Sequence, residues 1–394
     1  MATEQAFFSR PDSFMTVRYL TIRGTNFQIG QQLGVLARER YGKTPEHFRG
    51  DPVFARARRV YFQHNYPIQW ERVRGMAAAF GLDPSDDGYD LTGLTYLMDV
   101  PMPPSGCSAA YYPPTTTASG GGYLSRNYDF SIGSLADMMR MPLPSAIKDT
   151  LAPVMSEPYI MAWYPKDGGY ASIASHAFDL LSGTIDGMNS AGMVVSILAD
   201  MDAQNELGPH LEMHPASQQA VGLHELQVMR LLLDTCATAE EARVALLIIK
   251  QYYRFTPNHY IVADRAGHSF IYENSTGRNV QHVLDGGGRP QVITNHQLCK
   301  QGQPGPWERS RSKTTPSGAT RRCRTASPRT RGCSPRTRSR PTMLASTSST
   351  SSPPCLLTPR RRAGRLASRC GPSGTASTTS RRARSNSAST WVKT

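Results

Sequence analysis

The chain has 394 residues, room for one large domain or two ordinary ones, and a formal net charge of +14. A charge of that size would fit a nucleic-acid or membrane-surface binder, but it is confined to one end. Residues 301–394 hold 20 Lys and Arg against Glu308 alone, a net of +19, and the remainder holds 24 against 29 acids, a net of −5. The body is thus mildly acidic, and neither a nucleic-acid nor a membrane partner is expected of it. It has no apolar run near the roughly 20 residues that cross a bilayer. Residues 1–8 lack the basic start and apolar core of a secretory signal, so a reducing cytoplasm is the expected compartment.

Residues 26–42 read as an amphipathic helix, and residues 51–81 as one or two more that stop near Gly81, with Pro84 beyond. A proline-rich stretch, Met102-Pro103-Pro104-Ser105-Gly106, then leads to Cys107. After it come an apolar run, a turn at Gly120-Gly121-Gly122, and Ser125-Arg126-Asn127-Tyr128-Asp129-Phe130. This predicts a β-hairpin with a thiol opening its first strand and an Arg/Asp pair on its second. Short strands follow, most clearly at 159–164, 170–174 and 193–198. Helices are predicted over 223–236 and 239–250, the second opened by a capping box of Thr238 and Glu241. Strands return at 259–263, 269–272 and 292–294. Strands, then helices, then strands predict an α+β domain of stacked sheets flanked by helices.

Residues 301–394 contain no Phe or Tyr and show neither helical nor strand periodicity, which predicts disorder. A basic arm for acidic partners is one reading. An out-of-frame translation is the preferred one. Read one base earlier, the codons of 371–379 permit Arg-Thr-Leu-Trp-His-Ser-Val-Tyr-Asp, and those of 386–394 permit Glu-Leu-Arg-Val-Tyr-Leu-Gly-Glu-Asp, both strand-like. The same shift on 314–320 permits Asp-Asp-Ser-Leu-Arg-Arg-Tyr. Three such segments under one shift favour a frameshift between about Asn295 and Thr314.

Cys107, Cys236 and Cys299 are widely spaced in the body, which gives neither a disulfide framework nor a metal knuckle. His210 and His214 have the spacing of a metal pair, with Glu212 between them, but Pro209 and Pro215 flank them and no third ligand is evident. A polar loop is expected there, with no metal and no cofactor. Cys107 is the residue with chemistry around it. A thiol beside a guanidinium and a carboxylate is the setting of an activated nucleophile; a small buried cysteine is the alternative.

Gly106-Cys107, followed by Arg126-Asn127-Tyr128-Asp129, resembles the processing site and first hairpin of the cysteine N-terminal-nucleophile (Ntn) hydrolases. The nearest group is that of the penicillin acyltransferases, with the choloylglycine hydrolases more distant. Four further segments resemble that group's landmarks in order: 24–34, 186–193, 258–264 (with Gly267 and Glu273 beyond) and 293–296. The resemblance implies an αββα sandwich whose Gly106–Cys107 bond cleaves itself. Residues 1–106 would be a helical pro-segment retained as a small subunit, 107–300 the core, and 301–394 a tail outside the fold.

On the same basis Cys107 would carry a thioester, and its freed α-amine would serve as base. Arg126 would favour the thiolate, Asp129 would hold the α-amine or Arg126, and Asn295 would donate to the oxyanion. Gly106 would allow a close, strained approach of the backbone. The implied substrate is a small molecule with a linear non-peptide amide, and water or an amine as acceptor would make the enzyme a hydrolase or an acyltransferase. Leu198-Ala199-Asp200 lacks the Asn of the choloylglycine group, so bile-salt specificity is not implied. The alternative is an inactive, frameshifted product. Oligomeric state is left open.

Overall fold

The computed structural model describes residues 2–10, 13, 15–96, 106–129, 144–148, 156–207, 220–254, 256–275 and 280–300. The predicted disorder and frameshift of 301–394, and the His210/His214 pair, lie outside the described residues. In chain order the elements are β1 (Thr3–Phe8), β2 (Val17–Gly24), α1 (Asn26–Tyr41), α2 (Pro52–Asn65), α3 (Pro67–Phe80), β3 (Gly106–Tyr112) and β4 (Tyr123–Asp129). Then come α4 (Ser145–Lys148), β5 (Tyr159–Pro165), β6 (Ser172–His176), β7 (Thr184–Asn189), β8 (Val194–Ala199) and α5 (Met201–Leu207). The last group is β9 (Leu223–His224), α6 (Glu225–Thr235), α7 (Ala239–Ile248), β10 (Gln251–Tyr252), β11 (Asn258–Ala263), β12 (Ser269–Ser275), β13 (Val280–Asp285) and β14 (Gln291–Ile293).

Local chemistry sets the helix ends. Thr25 Oγ1 accepts the Gln28 amide at 3.2 Å while Gln28 Oε1 accepts the Thr25 amide at 3.0 Å, a capping box that starts α1. The predicted 51–81 block is two helices, because Pro67 has no amide to continue α2 and instead occupies the first turn of α3. Helices α1 and α3 cross closely at two glycines. A methyl on Gly30 would lie 1.8 Å from the Arg72 carbonyl oxygen, and one on Gly75 would lie 1.8 Å from that of Phe27. The capping box predicted for α7 is present at Thr238 and Glu241. Helix α6 begins after Leu223 and His224, which instead pair in parallel with β10. Among the described residues no helix is long and apolar enough to cross a membrane.

Nine strands form one sheet in the order β1-β2-β5-β6-β7-β8-β11-β12-β13, with β2 and β5 parallel. A second sheet has the order β14-β3-β4. Every residue of β11 is buried, as a strand covered on both faces must be. Its side chains alternate: Tyr260 and Val262 enter the core under the helices, and Ile261 and Ala263 enter a second core with Cys107, Ala109 and Tyr111 of β3. Among the described residues the layers therefore run helices, large sheet, small sheet, three of the four layers of an αββα sandwich.

On the helix face one carboxylate joins the two parts of the chain. Asp234 on α6 accepts Arg72 of α3 at 2.5 and 3.1 Å, Arg230 at 3.0 Å and the Tyr66 hydroxyl at 2.5 Å. Arg72, Arg230 and Asp234 are all fully buried, and both guanidinium groups stack on the Trp163 ring at 4.9 and 5.0 Å. Arg72 also donates to Asn26 at 2.9 Å, which ties the start of α1 to the same point.

Candidate active site

The hairpin predicted around Cys107 is β3 and β4, paired with Cys107 opposite Tyr128, Ala109 opposite Arg126 and Gly106 opposite Asp129. Strand alternation then sorts the side chains. Cys107, Ala109, Leu124 and Tyr128 face the large sheet and join its core, and Arg126 shares that side. Gly106 and Asp129 lie on the other side and are exposed.

Arg126 reaches past the sulfur to the large sheet. Its Nε donates to Asp186 Oδ1 at 3.1 Å, Nη2 to the Ile197 carbonyl at 2.8 Å and Nη1 to the Asn127 carbonyl at 2.6 Å. Its charge also acts on the neighbouring Cys107 side chain. Burial pulls the guanidinium pKa down, but Asp186 and Cys107 more than reverse this, so its charge is held firmly. Asp186 is fixed from behind by Ser196 Oγ, and by Ser175 Oγ at 3.2 Å. Tyr128 stays a neutral phenol, its pKa pushed up by burial and then by the neighbouring sulfur.

The nitrogen of Cys107 has its own holder. Its N–H donates to Asn295 Oδ1 at 2.6 Å, while Asn295 Nδ2 donates to the Ala199 carbonyl at 2.8 Å. Both neighbours have fixed polarity, so the orientation of the amide is settled. The reason is register: β14 pairs Ile293 with Ala109, and two residues further on Asn295 stands opposite Cys107. Its side chain takes the place of a strand carbonyl.

One expectation is corrected, and the geometry bears on two more. Asp129 does not pair with Arg126: three residues apart on one strand, the two side chains leave opposite faces, and Asp186 on β7 is the partner instead. Asn295 meets Cys107 as an acceptor, and one of its two amide hydrogens is used by Ala199, so oxyanion donation could come only from the other. At Gly106 the nearest described atoms to an added methyl would be those of Asp129, from 3.4 Å, an ordinary contact.

Sequence reasoning missed two contributors. Asp186 stood only as the first residue of a landmark segment; the signal was an acid placed within an apolar strand. Glu273 was likewise noted without a role, and its two backbone partners could not be read from spacing.

The thiol opens on a small recess. Tyr128, Phe178, Ile185, Ile197 and Leu226 make it largely apolar, with Asn258 and Glu225 as polar points. Phe178 holds a φ of 69°, the only positive value of a non-glycine residue among the described residues. Neither of the other described cysteines has this setting. Cys236 is buried with its thiol pKa pushed up by burial, and Cys299 is pushed up to about 12 by burial and by Glu273. Among the described residues no group of His, Cys, Asp and Glu could hold a metal ion.

A family model described as acyl-coenzyme A:6-aminopenicillanic acid acyl-transferase matches residues 116–321. That stretch begins after Cys107 and includes Arg126, Asp186 and Asn295. Among solved structures, penicillin V acylase from Agrobacterium tumefaciens is 18% identical, with 51% of this chain and 49% of that one covered and a TM-score of 0.24. The C2A mutant of conjugated bile acid hydrolase from Clostridium perfringens is 18% identical over 34% and 39%, with a TM-score of 0.26. The Caenorhabditis elegans ortholog of N-acylethanolamine-hydrolyzing acid amidase is 17% identical over 50% and 74%, with a TM-score of 0.29. The chain thus spans about half the length of the penicillin V acylase. No curated protein sequence matches it.

Proposed function

The chain belongs to the acyl-coenzyme A:6-aminopenicillanic acid acyl-transferase family, and from that premise we propose an amidohydrolase or acyltransferase that cuts its own Gly106–Cys107 bond and then works through Cys107. The observation that carries this reading is that both reacting groups of one residue are held separately. Arg126, backed by Asp186, takes the thiol, and Asn295 takes the nitrogen.

In the first step the thiolate adds to the Gly106 carbonyl carbon, the C–N bond breaks, and the Cys107 nitrogen takes a proton. Water then cleaves the resulting thioester, which leaves Gly106 as a carboxylate and Cys107 with a free thiol and α-amine. An α-amine ordinarily titrates near 7.7–8.0, so it can act as a base near neutral pH. In turnover that amine takes the thiol proton, sulfur attacks the substrate amide carbon, and the departing amine carries the proton away. Water or a second amine then receives the acyl group. The apolar recess supports a substrate with an apolar acyl arm. The Arg72–Asp234 contact supports retention of residues 1–106 as a subunit after cleavage.

Acid quenching during turnover of an N-acyl amide, followed by mass spectrometry, tests the reading. An acyl adduct on the peptide that begins at Cys107, absent from Cys107→Ala, is expected. Turnover by Cys107→Ala at the wild-type rate would overturn it.

We also propose that residues 301–394 are an out-of-frame translation, supported by the break in composition at that boundary. Sequencing the coding DNA for 295–314 decides this: an extra or missing base supports it, and an intact frame refutes it.

A further inference from the structure

Asn295 sits two residues past Ile293, the last residue and last paired position of β14, so strand pairing alone does not hold it in place. Its own carbonyl accepts the Met201 amide at 2.9 Å, and the residues on either side of it are held as well. The 294–299 segment is gripped from the large sheet by a buried carboxylate and imidazole. Glu273 on β12 accepts the Leu298 amide at 2.6 Å with Oε1 and the Cys299 amide at 2.9 Å with Oε2. His259 on β11 places Nε2 2.6 Å from the Thr294 carbonyl oxygen, and its Nδ1 lies 3.5 Å from Glu273 Oε1. Both side chains are fully buried. Asp200 adds a third hold, accepting Gln297 Nε2 at 2.7 Å, and Asp202 accepts the Gln297 amide at 2.8 Å.

Both faces of this grip converge on the residue between them. Thr294 is fixed before Asn295, and Gln297, Leu298 and Cys299 are fixed after it. A buried carboxylate that accepts two backbone amides and touches an imidazole is a costly thing to bury without a purpose in the chain's own geometry. Its charge is retained: burial raises the Glu273 carboxyl, but His259 and the two amides outweigh this and leave it below its ordinary range.

We propose that Glu273 and His259 are positioning residues for Cys107: they set the loop from which Asn295 holds the Cys107 nitrogen. They touch neither the thiol nor the recess, so they act on the amide side alone. This inference takes its functional meaning from the proposed Cys107 chemistry, but its physical content is the hold on one N–H group.

That content is measurable without cleavage. In the uncleavable Cys107→Ala chain, amide hydrogen exchange at position 107 reports the hydrogen bond to Asn295 directly. Glu273→Gln puts an NH₂ group against a backbone amide in place of an oxygen. It should raise exchange at position 107 about tenfold or more, while the strand amide of Tyr111 and the melting temperature stay near their starting values. Added to Asn295→Ala, it should change exchange at 107 by less than about twofold, because the acceptor is already gone. Unchanged exchange at 107 in Glu273→Gln would overturn the proposal. So would equal acceleration with and without Asn295, or acceleration at Tyr111 and 107 alike, since both describe a general loosening. His259→Asn is the second variant, with the same expected pattern should Glu273→Gln fail to fold. If the companion chain with Cys107 intact does not cleave, the self-processing reading fails on its own, and the exchange result still decides this one.

Discussion

The large sheet buries an arginine–aspartate pair on each face, and the two pairs do different jobs. On the helix face Arg72 and Arg230 close on Asp234 with no exposure at all, and they join helices of residues 1–96 to α6. On the small-sheet face Arg126 and Asp186 are 10% and 22% exposed, and the guanidinium has the Cys107 sulfur as a further neighbour. The chemistry of the pairs is the same. What differs is access: a pair sealed by helices is a joint, and one at the edge of a recess acts on whatever enters it.

The largest effect is expected at Asp234. Asp234→Ala leaves two buried arginines unpaired, and about 3–5 kcal/mol of stability should be lost, as read by urea unfolding. Asp186→Ala should cost less stability and show itself at the thiol. Loss of the Arg126 anchor should slow alkylation of Cys107 by iodoacetamide about tenfold, the scale of one weakened charge contact; peptide mapping separates this thiol from the others.

Acid sharpens the contrast further. Burial raises the Asp234 carboxyl, but Arg230 and Arg72 outweigh it and hold it below its ordinary value. A carboxylate depressed in the fold stabilises above its unfolded pKa of about 3.9, and that stability fades as pH falls toward the folded value. Urea midpoints of the wild type should therefore drop below about pH 5, and more steeply than those of Asp234→Asn. The smallest effect is expected from Arg126→Lys, which keeps the charge but loses the fork that spans Asp186 and the Ile197 carbonyl. Alkylation should slow by no more than a few-fold.

Much of this was legible in the sequence because it is local. The Thr238 cap and the Cys107 hairpin each depend on residues close together in the chain. The strand order was not, since β2 pairs with β5 across more than a hundred intervening residues. At the site, Cys107, Arg126 and Asn295 were named and are brought together. Of the two roles expected of Asp129, the one with Arg126 is excluded because the two are neighbours in sequence but leave opposite faces of β4, while Asp186 arrives from another sheet. Asn295 was legible as a site residue, but not its polarity. Whether an amide presents its oxygen or its nitrogen depends on what faces it, here a donor from β3 and a carbonyl from β8.

On the proposed mechanism the Gly106–Cys107 bond is the chain's first substrate. Intact mass under denaturing conditions, wild type beside Cys107→Ala, tests it most directly. Two wild-type pieces that divide between Gly106 and Cys107, with one whole chain in the variant, are the predicted result. A single uncut chain in both would contradict the account.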